Sequence, residues 1–447
     1  MRGYVVRAVT VAVLGTAVVA VSSACTSSPG RGPGAARPDR PGARTEPAYQ
    51  GPTLPGLEAK PLWSWESADE HATGPSRPVF ALGNRTVVVA GPSRPGSGGG
   101  VAVALRDITT GNVRKTLTLD GVVTGETWLG KPAIVVRGER VVPSDGLTGE
   151  TSFRTVQAWD ERGERIGAVE LPGGGEARVQ DGWIIEPTGT RNTSVGVRRA
   201  DDFGPGRVFT CEPGDDCSIS TRGRTAVVVG AGESPILVEG TVFTFEDVKD
   251  DTLSRHRRLV AFDASTGARR WDTDTVRTPA NTDPLQLRST YAPDVVGTVN
   301  GKLVIAWMKR PSGRLVGLYD PVTGALTATG PSPKSLSVLV TDPTGSVVVL
   351  GGEGAETDSA RSTAWEPASG RTLWQQSDDE ISFTPNAIVG GVLYGRTRAG
   401  TTIALDVRSK QVLARDLDVD DLPLPLGTDH ALVVDGTRAF VFRTRAG

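Results

Sequence analysis

The sequence predicts an all-β protein, a ring of eight four-stranded antiparallel sheets forming a β-propeller. Three observations lead there. The chain has 447 residues, with Gly 56, Pro 31 and a hydrophobic fraction of 38%, a composition suited to many short strands joined by tight turns rather than to a disordered chain. A strand–acidic residue–turn–strand pattern recurs through most of the chain. The recurring unit is 40 to 62 residues long, the size of a four-stranded propeller blade.

The first segment is an address. Arg2 and Arg7 precede the apolar run 8–21, which the small residues Ser22, Ser23 and Ala24 follow, and then Cys25. A charged start, a short apolar stretch and a small-residue cleavage site describe a secretory signal. The run is too short for a membrane span, which needs ~20 residues. Ser22-Ser23-Ala24-Cys25 resembles a bacterial lipobox, although Ser22 stands where that motif usually has Leu or Val. The resemblance implies cleavage after residue 24 and lipidation of Cys25, which would hold the protein on the extracytoplasmic face of the cell membrane. Residues 25–60 are rich in Ser, Gly, Pro, Arg and Thr and are expected to be a solvated tether.

Residues 61–447 carry the repeats. Aligned on the acidic residue, copies fall at Asp107, Asp160, Asp201, Asp263, Asp320, Glu366 and Asp406, at intervals of 53, 41, 62, 57, 46 and 40. An acidic side chain accepts backbone N–H groups two and three residues on, and glycine supplies the positive φ at the turn exit. Upstream strand pairs around 80–89, 296–305 and 387–394 complete four strands per unit. The C-terminal segment 431–442 has inner strands and no outer one. Leu62-Trp63-Ser64-Trp65 reads as an outer strand without a blade. Pairing the two makes the eighth blade and leaves no open sheet edge. A seven-bladed ring is the alternative.

The form Ala-Leu/Phe-Asp-x-x-Thr-Gly-x-x-x-Trp, clearest at 259–271, 315–327, 363–374 and 101–113, resembles the PQQ-like, or quinoprotein-like, propellers. Trp271 lies past the Thr-Gly turn, where that pattern places it, and is expected to pack between blades. Trp-Asp pairs occur at 159–160 and 271–272, without the Gly-His partners of WD40 repeats. The resemblance extends to quinone dehydrogenases, which hold their cofactor against an adjacent cysteine pair, and to a non-catalytic, lipid-anchored propeller of outer-membrane assembly. No cysteines are adjacent here, and the repeat itself is a packing motif. No cofactor is expected.

Chemistry-bearing residues are few. The histidines are His71, His256 and His430, none in a zinc or hydrolase motif. His256 lies in Ser254-Arg-His-Arg-Arg258, read as a solvated basic loop; His430 precedes a strand. Cys211 and Cys217 are expected to form a disulfide in an oxidising compartment, because a redox pair favours Cys-x-x-Cys. Asp215-Asp216, Asp250-Asp251 and the run Asp416, Asp418, Asp420, Asp421 lack the calcium-loop register and read as solvated turns, so no metal site is expected. A net charge of −2 gives no reason to expect nucleic acid. Two functions stay open: a non-catalytic binding or scaffold module for a protein or glycan, and an extracellular carbohydrate hydrolase or lyase with its site at the central channel.

Overall fold

Short runs of valine, leucine and alanine bounded by Asp-x-x-Thr-Gly turns cannot bury a face alone, so each run pairs with its neighbours in sequence. The computed structural model describes residues 49–66, 79–91, 100–144, 149–173, 177–188, 194–201, 206–210, 219–220, 227–228, 237–249, 255–279, 293–308, 314–333, 336, 338–352, 361–419, 422–435 and 438–445. They belong to one compact unit, residues 46–447.

Eight sheets follow one another along the chain. From the inside outward, blade one is Val79–Leu82, Thr86–Ala90, Val101–Asp107 and Val113–Leu119; blade two is Val122–Trp128, Lys131–Val142, Thr151–Trp159 and Arg165–Pro172. Blade three is Arg178–Gln180, Trp183–Thr188, Ser194–Arg199 and Arg207–Thr210; blade four is Leu237–Val238, Thr241–Lys249, Arg255–Asp263 and Arg269–Asp272. Blade five is Asp294–Val299, Lys302–Met308, Arg314–Tyr319 and Leu326–Thr329; blade six is Val338–Thr341, Val348–Gly351, Thr363–Glu366 and Arg371–Gln375. Blade seven is Phe383–Val389, Val392–Thr397, Thr402–Asp406 and Val412–Leu417. Blade eight is Leu424–Leu426, His430–Asp435, Arg438–Arg443 and, as its outer strand, Trp63–Glu66. The eight-bladed ring and its N-terminal closing strand are as the sequence predicts, with the strand shifted by one residue. Its register is Trp63 to Val441, Ser64 to Phe440, Trp65 to Ala439 and Glu66 to Arg438.

Strand periodicity places the core between blades. Successive side chains point to opposite faces, so Val242 faces blade three while Phe243 faces blade five. Likewise Val87 faces blade eight and Val88 blade two. Each of the eight junctions holds its own apolar cluster. The cluster between blades eight and one joins Trp63, Leu432 and Val441 to Val87 and Ile108, which closes the ring with the same kind of contact as the other seven.

The turn chemistry holds at most copies. Asp107, Asp160, Asp263, Asp320 and Asp406 each accept backbone N–H bonds from the turn that follows. Asp201 instead pairs with the Arg199 guanidinium at 2.8 Å, and Glu366 accepts from the Ser369 hydroxyl at 2.6 Å. Three tryptophans latch one blade to the next. Trp63 donates its indole N–H to the Ile108 carbonyl at 2.8 Å, Trp271 to Pro321 at 3.0 Å and Trp374 to Val407 at 2.7 Å. Trp271 therefore packs between blades, as expected.

The latch dictates glycine at the turn exit. Gly324 has φ +69°, and a Cβ there would sit 2.7 Å from Cγ of Trp271. Gly324→Ala therefore meets both a strained backbone and a displaced indole, and it should cost at least about 2 kcal/mol. A urea melt measures this. A loss within about 0.5 kcal/mol, the size of an ordinary surface change, would contradict the latch.

The tether boundary is corrected. The sequence reading placed residues 25–60 in a solvated tether, yet the described part, from residue 49, lies on the propeller. Leu54 is 4% exposed and Leu57 1%, both in the layer between blades seven and eight. Tyr49 packs edge-on against Phe440 and Phe442, each at 5.2 Å. Leu57 bridges to Thr444, the Glu58 amide donates to the Arg443 carbonyl, and the Arg445 amide donates to that of Gly56. Average composition hid three well-spaced apolar residues, and those three are what pack.

Candidate functional site

The two faces of the ring differ in their connections. On one face the turns from innermost to second strand are tight, as at 83–85, 129–130, 300–301 and 390–391. The Asp-x-x-Thr-Gly turns lie on the same face. On the other face the second strands end and the third begin, and each outer strand ends towards the next blade; the strand ends there are separated by longer stretches of sequence, as between Ala90 and Val101, Gly351 and Thr363, Glu66 and Val79, and Asp272 and Asp294. Long connections displayed on a rigid scaffold are where binding groups are usually carried. This second face, around blades four to six, is the candidate site.

Three arginines in the first half of third strands or just before them fix that face. Arg258, in blade four, donates to the Glu246 carboxylate at 2.8 Å and lies 3.8 Å from Asp274. Glu246 is fully buried. Burying such a carboxylate demands a partner, and Arg258 is that partner across the strand pair. Burial opposes the Arg258 charge, but Glu246, Asp272 and Asp274 outweigh it and raise its pKa. In blade five, Arg314 pairs with Asp294 at 2.5 Å, tying the third strand to the start of the innermost one. In blade six, Arg361 is 6% exposed and donates to the Glu380 carbonyl and the Ser382 hydroxyl, each at 2.8 Å. It thereby pins the connection 376–382, which the Gln376 side chain also holds through Ser362 and Ile381. These guanidinium groups are engaged by carboxylates and carbonyls, so they act as a frame for the face.

In blade two an ion pair joins the innermost strand to the second. Arg137 meets the Glu126 carboxylate with both terminal nitrogens, one at 2.8 Å, and reaches the Val179 carbonyl of blade three at 3.3 Å. Burial works against the Glu126 charge, yet Arg137 and Thr124 hold its pKa below the ordinary range. Among the described residues, every carboxyl group displaced from its ordinary range is displaced downward. No three His, Cys, Asp or Glu side chains converge as metal ligands among the described residues.

Cys25, Cys211, Cys217, His71, Asp215, Asp216, Asp250, Asp251, Asp420 and Asp421 lie outside the described residues. Asp416 has φ +51° at the end of blade seven's outer strand, and Asp418 follows that strand. The reading of 254–258 as a solvated loop is corrected where that stretch is described. The strand already begins at Arg255, and Arg258 is only 9% exposed. A run of arginines reads as solvated until its cross-strand acid is known, and Glu246 stands twelve residues away. His430 opens its strand instead of preceding it. Its Nε2 is buried without a hydrogen-bond partner, and burial lowers its pKa.

Residues 220–416, from blade four through most of blade seven's outer strand, match the family model described as outer membrane protein assembly factor BamB. No curated protein matches the chain in sequence. Among solved structures, BamB from Moraxella catarrhalis aligns at 15% identity over 86% of this chain and 99% of that one, with a TM-score of 0.44. The quinohemoprotein alcohol dehydrogenase ADHIIG from Pseudomonas putida HK5 aligns at 12% identity over 87% and 76%, with a TM-score of 0.39. The computationally designed Ika8 protein aligns at 12% identity over 82% and 96%, with a TM-score of 0.37. The eight sheets, the Asp-anchored turns, the indole latches and the family match together make this chain an eight-bladed β-propeller of PQQ-like repeats.

Proposed function

We propose that the protein is a non-catalytic binding or scaffold module, held on the extracytoplasmic face of the cell membrane by lipidated Cys25 and stapled by a Cys211–Cys217 disulfide. The observation that carries the binding role is the asymmetry of the ring. One face is closed by tight turns, and on the other the strand ends, separated by long stretches of sequence, are framed by Arg258, Arg314 and Arg361. The match of blades four to seven to the BamB model supports a macromolecular partner, and it agrees with an extracytoplasmic, membrane-associated place. The signal-like start and Cys25 supply the anchor.

Mass spectrometry of protein extracted from membranes tests the anchor and the staple together. The mature N-terminus should be a diacylglyceryl cysteine at position 25, and a non-reducing peptide map should link Cys211 to Cys217. An N-terminus elsewhere, or Cys25→Ala with unchanged membrane retention, would remove the anchor from the proposal. For the binding role, in-cell cross-linking from the 273–293 and 352–362 connections should capture a partner that cross-linkers in the 300–301 and 390–391 turns do not. Equal capture from both faces would refute the assignment of the face.

A further inference from the structure

We propose that the inner edge of blade six is a strand-accepting site for an extended, uncharged, β-branched peptide segment, and that the chain's own Val227–Val228 fills it. The inference deepens the binding-module reading by naming the chemistry of one ligand.

Among the described residues, in blades one, two, three, five, seven and eight the innermost strand ends its sheet. Blade six differs. Val338–Thr341 carries a further strand on its inner side, with Val227 opposite Val338 and Val228 opposite Leu339. That strand is parallel, whereas every other strand-to-strand pairing in the described ring is antiparallel. A meander makes antiparallel neighbours, so a parallel strand has to be donated from elsewhere in the sequence. The donor position is explicit. Ile219–Ser220 and Leu237–Val238 both pair with Thr241–Lys249 in blade four. Between those two returns to blade four, Val227–Val228 is given to blade six.

The chemistry of both sides is readable. Val227 and Val228 are uncharged and β-branched, the composition that favours strand pairing. The accepting strand is Val-Leu-Val-Thr. Val338, Leu339 and Val340 are 2, 2 and 5% exposed. It lacks the lysine, proline or inward charge with which proteins blunt an edge. Strand addition draws affinity from backbone hydrogen bonds and specificity from the side chains on either face. A segment of the same chain competes at the high effective concentration of an intramolecular ligand. Weakening the internal strand should therefore expose the site to an external one.

The test uses the full chain, the double variant Val227→Pro/Val228→Pro, and a fluorescent synthetic peptide of residues 225–230. Proline has no N–H to donate and is excluded from paired strand positions. Peptide binding, read by anisotropy, should be at least tenfold tighter to the variant than to the unmodified chain. The same peptide with its two central valines changed to proline should bind neither protein. Equal affinity for both proteins, or binding to neither, overturns the proposal. A second measurement needs no variant. In the unmodified chain, amide exchange across Val338–Thr341 should be slower than across Asp294–Val299, which ends its sheet among the described residues. Equal protection of the two strands also overturns it. Either failure leaves the long-connection face and its cross-linking test untouched.

Discussion

Trp63→Ala should destabilise the protein by about 3–5 kcal/mol, the usual cost of truncating a buried tryptophan, although the residue lies more than 370 positions from its strand partner Val441. The side chain is 7% exposed and does four things at once. It fills the cluster between blades eight and one. Its indole donates to the Ile108 carbonyl at 2.8 Å. It lies on Gly111, where a Cβ would come within 2.5 Å of the ring. It also faces Trp65 at 5.2 Å and the Arg106 guanidinium at 5.9 Å. Trp63→Phe should lose less, because it keeps much of the area and leaves the Ile108 carbonyl without its donor, a loss of about 1–3 kcal/mol. Urea unfolding gives both values. Aggregation of the Ala variant at moderate urea would fit an opened sheet edge. A loss below about 1 kcal/mol for Trp63→Ala would mean that the first strand does not bear the closure.

Removing residues 49–58 should cost about 3–6 kcal/mol, at ~1.5–3 kcal/mol for each fully buried aliphatic side chain. A chain beginning at 49 and one beginning at 59 differ by Tyr49, Leu54 and Leu57 and by the hydrogen bonds of Gly56 and Glu58 to the C-terminal strand and its extension. The shorter chain also loses the Pro55 carbonyl that the buried Tyr394 hydroxyl meets. Thermal unfolding should show a clearly lower midpoint for the chain beginning at 59, at matched concentration. Coincident melts would restore the tether reading of this segment.

Much of this architecture was legible in the sequence because propeller blades are local. Strand pairs sit next to each other in the chain, and an acidic residue followed by Thr-Gly marks the turn between third and outer strand. The Asp107, Asp263 and Asp320 copies carry that signal in full. Ring closure was legible by elimination, since one strand lacked a blade and one blade lacked a strand. What could not be read was long-range or masked by average composition. Leu54 and Leu57 stand among prolines and glycines, and only the C-terminal blade gives them something to cover. The burial of Arg258 depends on Glu246 standing opposite it, a matter of register that no local pattern announces. Lys410 makes the same point in small. It adopts φ +64° where the other clear copies have glycine, and its ammonium group is held by the Gln375 carbonyl and Glu380. Of the candidate site, the long connections were visible as spacing, whereas the arginine frame that shapes them was not.

The ring itself is tested most directly by a cross-link at its seam. Glu66 and Arg438 are opposed in register, and antiparallel partners stand at about 4.5–5.5 Å between Cα atoms, within the reach of a disulfide. In Glu66→Cys/Arg438→Cys, mild oxidation of folded protein followed by a non-reducing peptide map should show the two ends joined in one disulfide-linked fragment. Unlinked, reactive thiols at both positions in protein that remains folded would contradict closure by the N-terminal strand, and with it the eight-bladed ring.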